Sequence, residues 1–198
     1  MARVTGQIDE RKSEAILDAA AELFAEKGAA VSMDAIARRA GVSKQTLYNR
    51  YGSKVEIGRA LAERRSDLIT APLRTGGDPV MVLTALAEAM LAKLCTADGR
   101  SSMRGVALMS PHAPGLAEAV YSAGPGEGRR RLALWLAEQD RLGLIRVPDP
   151  HGAAEMFVGM TLGHSQLRAI LGVDEPRPID IPARARETAQ RFLRAFAV

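Results

Sequence analysis

The 198-residue chain has one cysteine, Cys95, so it can close no intramolecular disulfide and cannot assemble a zinc site from thiolates; a reducing, cytoplasmic setting is expected. No run approaches the roughly 20 apolar residues that a membrane helix requires. The opening Met-Ala-Arg-Val-Thr-Gly-Gln also lacks the apolar heart of a signal peptide. These absences lead to the expectation of a soluble protein with no membrane partner. No segment shows the period-two alternation of a strand, which excludes a sheet and leaves an all-α fold. The histidines His112, His151 and His164 stand far apart in the sequence, and no nucleophile is paired with a base. Gly124-Pro-Gly-Glu-Gly128 has neither the Gly-Lys-Ser/Thr ending nor the preceding strand of a phosphate-binding loop, and reads as a surface kink. No enzyme activity, metal or cofactor is expected.

Two further absences are local. No proline precedes Pro72, whereas all ten lie from there onward, between helical stretches. The contrast suggests a head of residues 1–54 and a body of residues 55–198, with a long helix after Ser53 as the connector. No acidic residue lies between Arg38 and Lys54, although that stretch holds five basic ones. Net charge is only +4, so the basic excess is concentrated on one face, as a nucleic-acid partner would require.

What that stretch does contain is specific. Ser32 can cap a helix whose first turn carries Asp34 against the positive end of the dipole. Gly41 ends this helix, because glycine takes the left-handed conformation without a Cβ penalty. Ser43 caps the next helix, with Val42 and Leu47 at the two positions of a hydrophobic staple. Leu47 and Tyr51 share the side that faces Ile36 and Ala40, which leaves Lys44, Gln45, Tyr48 and Asn49 on the other side. A charge run alone usually marks a solvated face. The caps, staple, glycine turn and acid-free face together favour a helix-turn-helix that reads double-stranded DNA. Lys44 would meet a guanine edge or a phosphate, Gln45 a base edge, and Tyr48 a phosphate or a thymine methyl; Ser32, Ser43, Thr46, Asn49 and Lys54 complete the contact set.

Upstream, Met1 to Gln7 read as a loose arm, with Arg3 within reach of a minor groove. Ile16, Ala19, Ala20, Leu23 and Phe24 then give an amphipathic helix over about Asp9 to Lys27. Downstream, helices are expected from Ser53 to Pro72, from Pro79 to about Ala97, around Met103 to Met109, around Leu116 to Ala123 and around Leu132 to Leu142. His151 to Leu171 is apolar nearly all round and should be buried on every side. Gly159 and Gly163, four apart, would let another helix come close. Pro182 to Ala197 forms the last helix. Arg129, Arg130 and Arg131 read as a wetted helix start.

Ile36-Ala37, Ala40-Gly41-Val42-Ser43, Thr46-Leu47-Tyr48 and Tyr51-Gly52-Ser53-Lys54 resemble the DNA-binding signature of the TetR (tetracycline-repressor-like) family. Two departures are Tyr51, where the family more often has Phe, and Val55, where an acidic residue commonly follows the lysine. The resemblance implies a three-helix DNA-binding head plus a helical ligand-binding and dimerisation body. Within the implied cavity for an unidentified small-molecule effector, the adaptable candidates are Met103, Met109, Met156 and Met160, with Trp135, His112 and His164 as polar handles. Each of these is also what an ordinary core contains. The family's last two helices pair across a two-fold axis, which casts Leu167, Ile170, Ala189, Phe192, Leu193 and Phe196 as dimer contacts. The implied function is a one-component, ligand-responsive repressor that binds a near-palindromic operator as a homodimer. The alternatives are an activator, a weakly specific DNA binder, or a helical protein that sequesters a small molecule and carries an idle head.

Overall fold

A computed structural model describes the backbone of residues 2–197 and, within them, every side chain except those of residues 2–9, 29, 98 and 109. Among the described residues there is no strand. The α-helices in chain order are α1 (Ala2–Lys27), α2 (Met33–Arg39), α3 (Lys44–Arg50), α4 (Lys54–Ile69), α5 (Pro79–Cys95), α6 (Ala97–Met109), α7 (Pro114–Tyr121), α8 (Glu127–Arg141), α9 (Pro150–Leu171) and α10 (Ile181–Ala195). Helix α1 runs on through residues 2–7, where an arm was expected; the Arg3 side chain lies outside the described residues. No single helix in the described span is long and apolar enough to cross a membrane.

Apolar residues gather into two cores. The first joins Ile16, Ala20 and Leu23 of α1 with Val31, Ile36, Leu47 and Ile57. Their spacing puts one stripe of α1 over the α2–α3 pair, and Ile57 extends this core into the start of α4. The second core joins Leu83, Leu86 and Leu91 of α5 with Leu132 and Leu136 of α8, Phe157 of α9 and Ala185, Ala189 and Phe192 of α10. Phe192 meets Phe157 edge to face at 5.2 Å and Phe196 at 4.8 Å. Full burial of a side chain this size stabilises by roughly 1.5–3 kcal/mol, and the ring geometry adds about 0.5–1.5 kcal/mol.

Four residues of the expected dimer set pack within the chain itself. Ala189 and Phe192 are buried in the chain's own core, and Leu193 and Phe196 pack against it, because the apolar side of α10 lies on α5. Ile170 is half-buried and only Leu167 of the six is exposed. Helix α9 is likewise two-sided instead of enclosed. Ala153, Ala154, Phe157, Thr161, Ser165 and Ala169 face inward. Met156, Met160, Leu167 and Leu171 face out, at 61%, 42%, 50% and 66% exposure. Gly163 interrupts the helix with φ 48° and ψ −140°, a conformation that L side chains rarely adopt. It therefore breaks the helix, and a Cβ there would lie 3.2 Å from the Arg184 guanidinium of α10, whereas Gly159 opens onto free space.

The segment read as a surface kink is a packed seam. Residues 122–126 form a π-helical turn that carries Pro125 from α7 into α8, and Gly124 is buried against α4. A Cβ at Gly124 would lie 3.3 Å from that of Ala62, and one at Gly58 would lie 2.5 Å from Leu116 Cδ1. Glycine at both points lets α4 lie close to α7 and the π turn.

Candidate nucleic-acid interface

Each short helix of the head begins on a serine side chain. The Ser32 hydroxyl accepts from the Ala35 amide at 3.2 Å and that of Ser43 from the Thr46 amide at 3.0 Å. At the head of α4, Ser53 accepts from the Glu56 amide at 3.2 Å, while the Glu56 carboxylate reaches back to the Gly52 amide at 2.7 Å. The acidic residue thus stands one place beyond Val55 and still secures this helix start. Gly41 turns the chain between α2 and α3 at φ 65°.

Leu47 is fully buried, with Ile36 beneath it and Val42, Ala40 and Tyr51 partly buried alongside. A helix held by that side must present the opposite one to solvent. Lys44, Gln45, Tyr48 and Asn49 are all exposed, Tyr48 at 49%. The Gln45 side-chain amide donates to Asn49 Oδ1 at 2.8 Å, and Thr46 and Ser43 share a hydroxyl contact at 2.9 Å. The Lys44 ammonium is paired with the Asp34 carboxylate, so the free protein screens this cation from within. Lys54 is half-buried at the first position of α4.

Beside α3 lies a polar cleft of about 530 Å³, lined by Lys12 and Ser13 of α1 with Thr46, Asn49, Arg50 and Tyr51. The Arg50 guanidinium donates to the Ser13 hydroxyl across it. Hydroxyls, an amide and two cations around one concave surface suit a phosphate of a DNA backbone. Lys12, Ser13 and Arg50 were missed from sequence because their approach to α3 depends on how α1 crosses it. Their only local signal was that α1 carries Lys12 and Ser13 just ahead of its apolar stripe. Arg39, by contrast, turns back to α1, pairing with Glu22 at 2.8 Å and Glu26 at 3.3 Å. Those carboxylates raise its pKa, Glu22 most.

The expected ligand residues do not converge. Met156, Met160 and His164 are exposed on α9, since the small inward residues of that helix already fill the body side. His112 is exposed in the turn after α6, and the side chain of Met109 lies outside the described residues. Met103 is half-buried on α6, and Trp135 packs partly buried against the second core.

Helix α4 links the head to the body through named contacts. Arg64 pairs with Asp18 of α1 at 2.8 Å, and Arg65 donates to the Ser102 hydroxyl of α6 at 2.9 Å. Near its end, Asp67 pairs with Arg131 of α8, which also donates to the Thr70 hydroxyl at 3.0 Å and to Glu127 at 2.7 Å. Hydrogen bonds from Arg130 and then Arg131 lower the Glu127 carboxyl to about 2. The run of three arginines is therefore engaged: Arg129 pairs with Glu155 at 3.1 Å and stacks over Tyr121 at 5.4 Å.

Residues 16–61 match the model of bacterial regulatory proteins of the tetR family, and residues 81–198 match the C-terminal domain of AefR-like transcriptional repressors. The chain is 42% identical over 86 residues to the HTH-type transcriptional activator FasR of Mycolicibacterium smegmatis, a match that spans 41% of this chain and 39% of that relative. Among solved structures it is 30% identical to the flavonoid-responsive regulator FrrA, covering 95% and 98% of the two chains at a TM-score of 0.71. A TetR-family regulator from Mesorhizobium loti is 25% identical, covering 96% and 98% at a TM-score of 0.78. With both halves of the chain matched in order, this protein belongs to the TetR family of transcriptional regulators.

Proposed function

We propose that this regulator is a one-component, ligand-responsive repressor that binds a near-palindromic operator as a homodimer. The observation that carries the DNA half is the outward face of α3, where Lys44, Gln45, Tyr48 and Asn49 are exposed over a buried Leu47. Gln45 and Tyr48 read base edges, Lys44 leaves Asp34 for a guanine or a phosphate, and the Thr46–Arg50 cleft holds the backbone. Two heads would enter successive major grooves about 34–36 Å apart. The supporting feature for the dimer is the outer stripe of α9, Met156, Met160, Leu167 and Leu171, a surface too apolar to be left wet. The head is residues 1–54 and the body residues 55–198, with the first turn of α4 shared.

An effector in the body acts by changing how α4 sits. The seam that α4 makes with the π turn and α8 is closed by glycines and contains the buried Ser66 hydroxyl, which has no hydrogen-bond partner among the described residues. An unsatisfied group lowers the cost of parting the helices. Typical coupling of about 1–3 kcal/mol lowers operator affinity by roughly 5- to 150-fold. FrrA, described as flavonoid-responsive, supports an effector of small organic type. The FasR match favours activation as the second reading.

Selection of sites from a random DNA pool should return a palindrome, and Tyr48→Ala should weaken binding to it by about 1–3 kcal/mol. Unchanged affinity and selectivity would remove α3 as the reading element. A promoter fusion that loses expression on deletion of the regulator would assign activation instead.

A further inference from the structure

Between the C-terminal end of α1, with the short turn after it, and the outer side of α6 lies an open groove of about 770 Å³. It stands where head meets body, apart from both the reading face of α3 and the core of α5, α8, α9 and α10. Lys27, Arg100, Arg104 and His112 line it together with Phe24 and Leu108.

The charges there are unbalanced. Glu26 is the one carboxylate among the described lining residues, and it is already held by Arg39 at 3.3 and 3.4 Å. Arg100 donates one N–H to the Cys95 carbonyl at 2.8 Å, where it closes the C-terminal end of α5 without losing its charge. Arg104 lies against Gly172, the left-handed cap of α9, whose lack of a side chain leaves room for the guanidinium. Lys27 and Arg104 form no ion pair among the described residues. The apolar part is as marked: Leu108 is 68% exposed and Phe24 is half-buried beside the cations.

Cations without counter-charges next to uncovered apolar groups match one ligand chemistry, an anionic head on an apolar body. The volume falls within the range of small-molecule sites, about 300–1,000 Å³. We infer that this groove is an effector site for an organic carboxylate, whose anion is held by Lys27, Arg104 and Arg100 and whose apolar body lies on Phe24 and Leu108. Because Lys27 and Phe24 belong to the head and Arg100, Arg104 and Leu108 to the body, an occupant ties the two together. The binding claim is independent of the DNA reading, while its effect on the operator rests on that reading.

Decanoate and 2-naphthoate, which differ in having a flexible or a flat apolar body, are titrated calorimetrically into the full chain without DNA, alongside their uncharged amides. At least one acid should bind, its amide about tenfold or more weaker, and Lys27→Gln with Arg104→Gln should weaken the acid by a similar factor at unchanged melting temperature. Leu108→Ser should weaken acid and amide alike. Equal binding of acid and amide, binding of neither acid, or no loss in the double variant would overturn the site. Operator titration with the bound acid present tests the coupling separately: a shift in affinity that the double variant abolishes upholds it, and no shift overturns the coupling alone.

Discussion

Helices α3 and α9 each press one side into a core and leave the other uncovered, yet the uncovered sides have opposite chemistry. On α3 the outer groups are an ammonium, two amides and a phenol; on α9 they include two methionines and two leucines, with His164 between them. A polar outer face can remain wet without cost until a nucleic acid arrives. An apolar one continues to lose free energy in water until another surface covers it. The inner sides differ too. The core side of α3 rests on a single leucine between α1 and α2, whereas α9 and α10 share a phenylalanine pair deep in the body.

The contrast is broken most severely from the inside. Phe192→Ala should destabilise the body by about 3–5 kcal/mol, through lost transfer energy and the cavity left against Phe157. Trp135, the sole tryptophan, packs on that core, so its fluorescence in a denaturant titration is the measurement. Next comes the outer side: Met160→Glu with Leu167→Glu should yield monomers by light scattering while the helical circular dichroism of the chain is kept. A dimer that survives both charges would move the contact away from α9.

A smaller effect is expected where α4 meets α8. Hydrogen bonds from Arg130 and Arg131 hold the folded Glu127 carboxyl at about 2, below its ordinary 4.5. Its contribution to stability is therefore complete above about pH 4.5 and disappears as the pH falls through about 2. Glu127→Gln should be less stable than the parent near neutrality, and the difference should close across that interval in thermal unfolding followed at several pH values. The smallest effect concerns the head: Asp34→Asn releases Lys44 from an exposed pair worth up to about 1 kcal/mol. Operator affinity should rise by no more than a few-fold, with a steeper dependence on salt.

The head was legible because its signals are local. Ser32, Gly41 and Ser43 act on neighbours within four residues and Leu47 on Val42 five before it, and the observed caps and turn agree with that reading. In the body, residue type shows that a side chain will be covered but not by what. Phe192 and Met160 look alike in a hydrophobic pattern; one meets Phe157 and the other meets solvent, and the choice was made by α5, about a hundred residues upstream of α10 in sequence. Arg131 posed the same difficulty, since its partners Asp67 and Thr70 lie 64 and 61 positions away. The glycines near residue 125 suggested exposure, yet the same lack of side chains suits a tight crossing of helices, and here it serves α4.

The break at Gly163 has a geometrical outcome of its own. It divides the outer ridge of α9 into two facets, Met156 and Met160 on one and Leu167 and Leu171 on the other, joined at a backbone conformation in which any L side chain would be strained. An ordinary straight rod can lie flush on only one facet at a time. A partner that covers both facets must follow this change of direction, so the break at Gly163 narrows the range of surfaces that can lie along the whole of α9.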